Sequence, residues 1–448
     1  MSETYQYLDI YIEYSQQGSY FTLPFDMPED TETLTIKYSY ARYDGGESVH
    51  PHGLFESRQE VNIIDLGLIA PDGSQAGASG SDKLEITIDE VRATPGYQPQ
   101  RLVPGVWQII VGAYKVEAAG VKVSYEIHTV EKSLRLLKGD LHVHTLNSDG
   151  VHTVEELAWK AQRNGLDFLA ITDHNTMSMR PALADVMRRI LGITLIPGVE
   201  WTHFQGHANF LGVDQPYDLP FMANTLEEAR LRFDSARQRG ALITANHPFQ
   251  PHVEFKFDLN SLPFDCLEVW NGPMRESNLK AVGLWQSWLA AGRKVPVCGG
   301  SDYHRDTPFI FLGGPTTCVY AQSAGPSDIL DAVKAGHAYL TFAPDGPSLE
   351  MTAGEALMGD TVPWDAVQEL EFTLDGLKAG DVVRVVTGDK SELVLQAPAP
   401  GRFQGRYQLE APGFARLEVL RSFLPGVPML PALISNPIYF EAEQGGRH

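Results

Sequence analysis

Long apolar runs, paired cysteines and an excess of basic residues are all missing from this chain of 448 residues. No stretch reaches the roughly 20 apolar residues that a membrane-spanning helix needs, so no membrane partner is expected. The opening Met1-Ser2-Glu3-Thr4-Tyr5 lacks the basic-then-apolar pattern of a secretory leader, which makes a cytoplasmic location the expectation. The three cysteines, Cys266, Cys298 and Cys318, are an odd number without CxxC spacing, in or beside apolar runs. They read as small buried hydrophobes, not as a disulfide framework or a thiolate metal site. Lys and Arg total 35 against 57 Asp and Glu, a formal charge of −22. Extended phosphate backbones are held chiefly by clustered cations, so long nucleic acid is not an expected partner. A small phosphorylated substrate remains compatible, because bound divalent cations can dominate the field inside a pocket.

The chain exceeds the usual size of one core, and 43% hydrophobic content can fill two or three. Residues 5–14, 34–40, 107–116 and 121–127 are rich in β-branched and aromatic residues or alternate in polarity, and Gly- and Pro-rich loops at 72–81 and 94–105 separate them. This predicts a β-sandwich-like domain over 1–133. From 134 to 345, strands alternate with amphipathic helices: Thr153-Val154-Glu155-Glu156 is a plain helix start, and 225–239, 277–291 and 327–335 follow. After 345 the strand pattern returns at 370–374, 382–387, 407–409 and 415–420, which predicts a second small β domain over 346–448, with an unstructured tail at 444–448.

The middle segment holds seven short apolar runs, and all but one end in, or run into, a metal-type ligand. They are Leu141-His142-Val143-His144, 168 to Asp173-His174, 193 to Glu200, His207 to 213, 242 to His247, 267–271, and 295 to Asp302-Tyr303-His304. Parallel β-α alternation with polar strand ends is the mark of a barrel whose strand-end face carries the chemistry. Seven strands leave it one unit short of eight. The link from Glu200 to His207 is too short for a helical crossover, so those strands should be joined tightly and the barrel distorted.

In a strand, His142 and His144 project from one face and can share an ion, and Asp302 and His304 repeat that spacing. First and last strands are neighbours in a closed barrel, so the two pairs can meet. Glu200 ends an apolar strand, where a lone carboxylate would be poorly solvated unless it met a cation. His207, His247, His174 and Asp149 complete the candidate ligands. His50-Pro51-His52 has the same spacing but sits in a Pro- and Gly-flanked loop without acidic companions, and reads as structural or merely exposed.

Together, Gly139-Asp140-Leu141-His142-Val143-His144-Thr145, Ser148-Asp149-Gly150, Ile171-Thr172-Asp173-His174-Asn175-Thr176, Gly198-Val199-Glu200, Asn246-His247-Pro248 and Gly300-Ser301-Asp302-Tyr303-His304 resemble the motifs of the polymerase and histidinol phosphatase (PHP) superfamily. Within it, the chain is most similar to the CehA/McbA branch, which includes carbaryl hydrolases. The resemblance covers about residues 136–310, and the flanking β domains more loosely. It implies a distorted (β/α)7 TIM-like barrel with two or three Zn, Mn or Fe ions. His142, His144, Glu200 and Asp302 would hold one; Glu200, His207 and His247 a second; Asp149, His174 and His304 a third. Trinuclear members often have histidine where this chain has Asp149, which implies a weaker or exchangeable third ion.

Water shared by two cations is deprotonated near neutral pH, so hydrolysis is the expected reaction. The leading expectation is a phosphoesterase acting on a small phosphorylated metabolite or nucleotide, with Glu200 and Asp302 catalytic and Asp173 or Asp302 shuttling a proton. Arg275 and Arg305 are candidates to clamp the phosphate, Asn278 and Asn271 to assist, and His252 and Trp201 to line the pocket, His252 protonating the leaving oxygen. A carbamate, ester or amide hydrolase with the same metals is the nearest rival. A metal-stabilised binding protein without turnover is the third reading.

Overall fold

The computed structural model describes residues 2–43, 59–388 and 390–442; the His50-Pro51-His52 triplet and the 444–448 tail lie outside them. The chain divides into two compact units, Met1–Ser133 and Leu134–His448. The first is a sandwich of two four-stranded sheets, as its alternating strands require. One sheet runs Glu3–Ile12, Val121–Glu131, Thr31–Tyr40, Glu85–Ile88, and the other Ser19–Met27, Gly105–Lys115, Ile63–Ile69, Gln75–Ser79. Their inward residues, among them Ile36, Val123, Tyr125 and Ile127 in one sheet and Trp107, Ile109 and Val111 in the other, form a single core.

The second unit contains the distorted barrel. Its strands are β1 (Arg135–Val143), β2 (Phe168–Ile171), β3 (Thr194–His203), β4 (Gly206–Leu211), β5 (Leu242–Ala245), β6 (Cys266–Asn271) and β7 (Val297–Gly300), paired in that order. Closure comes just past β7, where Val143 bridges Tyr303 in parallel and the His144 N–H donates to the Tyr303 carbonyl at 3.0 Å. The expected tight link is a hairpin: β3 and β4 pair antiparallel, and so do β4 and β5. The other five contacts around the ring are parallel. Inverting one strand brings its beginning, and with it His207, to the face where the other strands end.

Helices α1 (Val154–Arg163), α3 (Leu226–Gln238), α4 (Glu276–Ala290) and α5 (Pro326–Ala335) stand where the sequence placed them. Thr153 and Glu156 close a reciprocal capping box on α1, and Thr225 caps α3. An additional helix, α2 (Arg180–Arg189), escaped the sequence reading because its N-cap, Met179, offers no capping side chain.

Two further strands, β8 (Thr316–Ala321) and β9 (Ala338–Thr341), extend the barrel sheet: β8 pairs antiparallel with β1 and β9 with β8. From β9 the sheet continues through Leu430–Ser435, Gly413–Arg421, Val382–Val386 and Ser391–Gln396. A second sheet, Ala356–Leu357, Ser348–Ala353, Glu369–Leu377 and Gly401–Gln408, packs with it around Leu349, Phe372, Leu417, Val419 and Leu433. The residues after 345 thus form a sandwich-like layer, but the anticipated division at 345/346 is no break in hydrogen bonding. Buried Arg416, paired with Glu418 at 2.5 Å, also grips Gln286 of α4 at 3.0 and 3.1 Å.

Crowding where β7 meets β1 gives a direct test. A Cβ on Gly300 would lie 2.3 Å from the Cβ of His142, whereas one on Gly283 of α4 meets nothing within 4 Å. Gly300→Ala should lower stability by about 1–3 kcal/mol in urea unfolding, and Gly283→Ala should leave it unchanged or raise it by up to about 1 kcal/mol.

Candidate metal centre

Glu200 sits near the end of β3 with its side chain 1% exposed. Five imidazoles ring it, the furthest being His144, whose Nε2 lies 3.7 Å from Oε2. Its Oε1 lies 3.1 Å from His207 Nδ1, 3.2 Å from His247 Nε2 and 3.3 Å from His142 Nε2, and its Oε2 lies 2.8 Å from His174 Nδ1. Burial alone would raise the carboxyl's pKa, but His142 and His207 hold it well below the usual range. Asp302 joins from the strand-end after β7, 3.1 Å from His144 Nε2 and 3.5 Å from His142 Nε2. It is likewise held ionised against burial by those two histidines. Further out, Asp149 Oδ1 lies 3.1 Å from His304 Nε2 and 3.5 Å from His174 Nε2.

All nine ligands expected from the sequence are brought together. They form four overlapping groups whose donor atoms lie within 4.8 Å of one another: His144, Asp149, His174 and His304; His142, His247 and Asp302; His142, His144 and Glu200; Glu200, His207 and His247. Exposure rises outward, from Glu200 through Asp302 (18%) and His174 and His304 (25% each) to Asp149 (60%).

These residues fit divalent ions by a second criterion. His142 Nε2 and His144 Nε2 face carboxylates at 3.3 and 3.1 Å without a directed hydrogen bond, and His144 Nδ1 and His247 Nδ1 are buried without a hydrogen-bond partner. Unpartnered buried nitrogens are rare and destabilising unless something ligates them. Mixed imidazole and carboxylate donors suit Zn, Mn or Fe. Backbone strain points to the same place: His247 (φ 26°) and Asp302 (φ 51°) occupy the left-handed region that residues with a Cβ avoid.

The supporting shell is built from residues the strand-tip reading passed over. Glu268, three residues inside β6, accepts from His142 Nδ1 at 2.9 Å and from the His247 N–H at 2.9 Å. That leaves His142 Nε2 facing the centre. Its signal was a carboxylate in a strand where every residue is buried. Asn246 donates to Glu200 Oε1 at 2.9 Å, and Thr202 Oγ1 lies 2.6 Å from His174 Nδ1. Asp140, lifted to about 6 by burial, accepts from the backbone N–H groups of Ser301, Gly313 and His142 and so ties β1 to the β7 loop.

Other candidates stand elsewhere. Asp173 is consumed by Thr145 N–H and Oγ1 at 2.7 Å each and Ser148 Oγ at 2.6 Å, so it fixes the loop after β1 and belongs to none of the ligand groups. Asn278 spends its amide on Asn271 and Pro273 backbone groups. Trp201 is fully buried in the core, its Nε1 donating to Phe221 O. Arg275 is exposed at the start of α4, His252 is exposed on the loop after β5, and Arg305 is exposed beside Asp149, donating to its carbonyl at 3.4 Å.

Residues 140–251 match the family model of the PHP domain. The chain carries a PHP-type metal-binding hydrolase domain. It is 36% identical over 107 residues to the 5'-3' exoribonuclease Rnm of Escherichia coli, a match covering 22% of this chain and 36% of that protein. It is 38% identical over 112 residues to the 3',5'-nucleoside bisphosphate phosphatase of Chromobacterium violaceum, covering 24% and 38%. The chain thus spans little more than a third of these relatives' length. A solved two-domain protein of Bacteroides vulgatus, containing a predicted PHP-like metal-dependent phosphoesterase, aligns over 67% of this chain and 95% of its own at 18% identity and a TM-score of 0.42.

Two measurements probe the centre. Burial lowers the pKa of His142, His174 and His247, but neighbouring carboxylates outweigh it and hold all three above their ordinary value. Metal-free protein therefore holds protons on them to higher pH than ordinary imidazoles would. Adding Zn or Mn in weak buffer should release protons, and metal affinity should rise with pH as they deprotonate. Glu268→Gln should weaken metal binding roughly 10–100-fold by competition with a chelating dye, without unfolding the protein.

Proposed function

We propose that this protein is a metal-dependent phosphoesterase that hydrolyses a small phosphorylated molecule. The observation that carries the reading is the convergence of five imidazoles on one buried carboxylate, with ring nitrogens among them lacking a directed hydrogen bond. Glu200, His207 and His247 would hold one ion, His142, His144 and Asp302 with Glu200 a second, and Asp149, His174 and His304 an exchangeable third. Bound divalent ions supply a nucleophilic water near neutral pH and neutralise charge developing on the phosphoryl oxygens. The protein's part is positional. Glu268 keeps the proton of His142 on Nδ1, Thr202 and Glu200 orient His174, and Asp302 keeps its negative charge for ligation. The exposed edge at Asp149, His174 and His304 is where substrate enters, with Arg305 beside it. Relatives named as an exoribonuclease and a nucleoside bisphosphate phosphatase support phosphoester chemistry. We also propose a cytoplasmic location; among the described residues no helix is long and apolar enough to cross a membrane.

One observation favours the second reading, a CehA/McbA-like carbamate or ester hydrolase with the same metals: both candidate anion clamps, Arg275 and Arg305, are exposed rather than built into the site.

The test is a panel of aryl phosphates, nucleoside monophosphates and bisphosphates, aryl carbamates and aryl esters on metal-loaded protein. Phosphate-ester turnover should disappear on chelation and return with Mn or Zn. Glu200→Gln should reduce kcat/KM by about 10³-fold or more, the scale of the charge stabilisation that bound metal provides. Turnover of carbamates or carboxylic esters alone would reject the phosphoesterase reading in favour of the second.

A further inference from the structure

The sandwich of the first unit has four strands at the edges of its two sheets, and three of them are blunted. Gln75–Ser79 and Glu85–Ile88 are only five and four residues long, and Ser19–Met27 carries Pro24, which has no N–H to offer a further strand. Glu3–Ile12 has none of these devices. It runs for ten residues without proline, lysine or arginine, and its register with Val121–Glu131 is unbroken by any bulge. Among the described residues, no backbone hydrogen bond reaches it except from Val121–Glu131.

The register also fixes which backbone groups are left over. Continuing the pairing of Glu3 with Val130, Ser2 stands opposite Glu131, and its carbonyl accepts the Glu131 N–H at 2.9 Å. Hydrogen-bonded pairs recur at every second residue of an antiparallel ladder, so Thr4, Gln6, Leu8, Ile10 and Ile12 bond to Val121–Glu131. Glu3, Tyr5, Tyr7, Asp9 and Tyr11 therefore turn their N–H and C=O groups to the open edge. Their side chains stand on the outer face, where Tyr5, Tyr7 and Tyr11 are 47, 68 and 61% exposed and Asp9 meets Lys122 at 2.8 Å. On the inner face Leu8 and Ile10 pack against the core but are only partly buried. A strand laid along this edge would meet unpaired backbone and two half-covered aliphatic residues.

We propose that this edge is a dimer interface, at which Glu3–Ile12 pairs antiparallel with its own copy in a second molecule and joins the two sheets into one. A two-fold axis perpendicular to the sheet keeps outer residues beside outer ones, so it must pass through a residue and not between two. Registers that use most of the strand centre on Gln6, Tyr7, Leu8 or Asp9. Centring on Gln6 sets Glu3 against Asp9, and centring on Asp9 sets that carboxylate against its copy; like charges directly opposite are unfavourable. Centring on Tyr7 or Leu8 opposes no acids within the strand. The first faces Tyr7 with its copy, and the second faces Tyr5 with Tyr11 and Leu8 with its copy. Either way Leu8 and Ile10 gain inner-face neighbours. A foreign strand would have to reproduce this alternation of tyrosine outside and aliphatic inside, whereas a second copy of the chain already carries it.

The experiment is sedimentation of the full chain over a range of concentrations, for the parent, Tyr7→Pro and Tyr7→Thr. The parent, 49.5 kDa as one chain, should sediment as a dimer that dissociates on dilution. Tyr7→Pro removes an N–H that faces the open edge and leaves the hydrogen bonds to Val121–Glu131 in place, so it should fold and raise the dissociation constant by about 100-fold, one lost ladder bond on each side of the axis. Tyr7→Thr keeps the N–H and should cost about tenfold or less. Amide hydrogen exchange in the parent should slow over Glu3–Ile12 as concentration rises, a readout that needs no variant and decides the matter should Tyr7→Pro fail to fold. A parent that is monomeric at every concentration would overturn the proposal and leave the edge to a strand of another protein. A dimer unmoved by Tyr7→Pro, one weakened equally by Tyr7→Thr, or exchange slowed elsewhere but not over Glu3–Ile12 would overturn it too, because the contact would then not be a backbone ladder at this edge.

Discussion

A single carboxylate, that of Glu200, sets the terms for the rest of this fold. Removing an ionised group from water costs several kcal/mol even after relaxation, and here the group is almost wholly enclosed. The offsetting field comes from five residues on four different strands or strand-ends: His142, His174, His207, Asn246 and His247. None of these is a sequence neighbour closer than seven positions, so the charge can be accommodated only when the barrel is closed. Barrel geometry and ligand geometry are therefore one constraint. The inverted strand β4 makes the point, since a parallel strand in its place would present His207 at the opposite end.

Much of this was legible from the chain alone, for a definite reason. A metal ligand must sit where a buried strand emerges toward the cavity, so ligands mark the ends of apolar runs. HxH and DxH spacings add that both side chains share a face. Those signals placed the seven strands, the hairpin and the nine candidate ligands that the fold brings together. What they could not carry was partner identity at long range. Glu268 meets His142 across 126 positions, and although a carboxylate inside an apolar strand marks itself as unusual, the sequence does not say which residue it will meet. Asp173 and Asn278 show the converse: polar residues beside a site whose hydrogen-bonding capacity is taken up elsewhere, Asp173 by the Thr145 N–H and the Thr145 and Ser148 hydroxyls, Asn278 by backbone groups of Asn271 and Pro273.

The ligand cluster is graded rather than uniform. Its inner members are enclosed and cross-braced by Glu268, Asn246 and Asp140, while its outer members stand on the loop after β1 and on strand ends open to water. Inner donors have their rotamers fixed before any cation arrives, so selectivity for ion size and geometry belongs to them. Of the outer donors, His174 is held by Thr202 and Glu200, His304 by the Asp302 carbonyl, and Asp149 is the one most open to water.

The route of the sheet out of the barrel also has a bearing on how the chain can be divided. Strand β8 hydrogen-bonds to β1 inside the barrel, and β9 to Leu430–Ser435. A fragment ending near residue 345 would leave β9 with a bare row of amide and carbonyl groups along an apolar strand, the arrangement that invites edge-to-edge aggregation. The barrel unit is thus bounded by hydrogen bonding, not by the place where the composition changes, and insertions or fusions would be tolerated in the loops far better than at that junction.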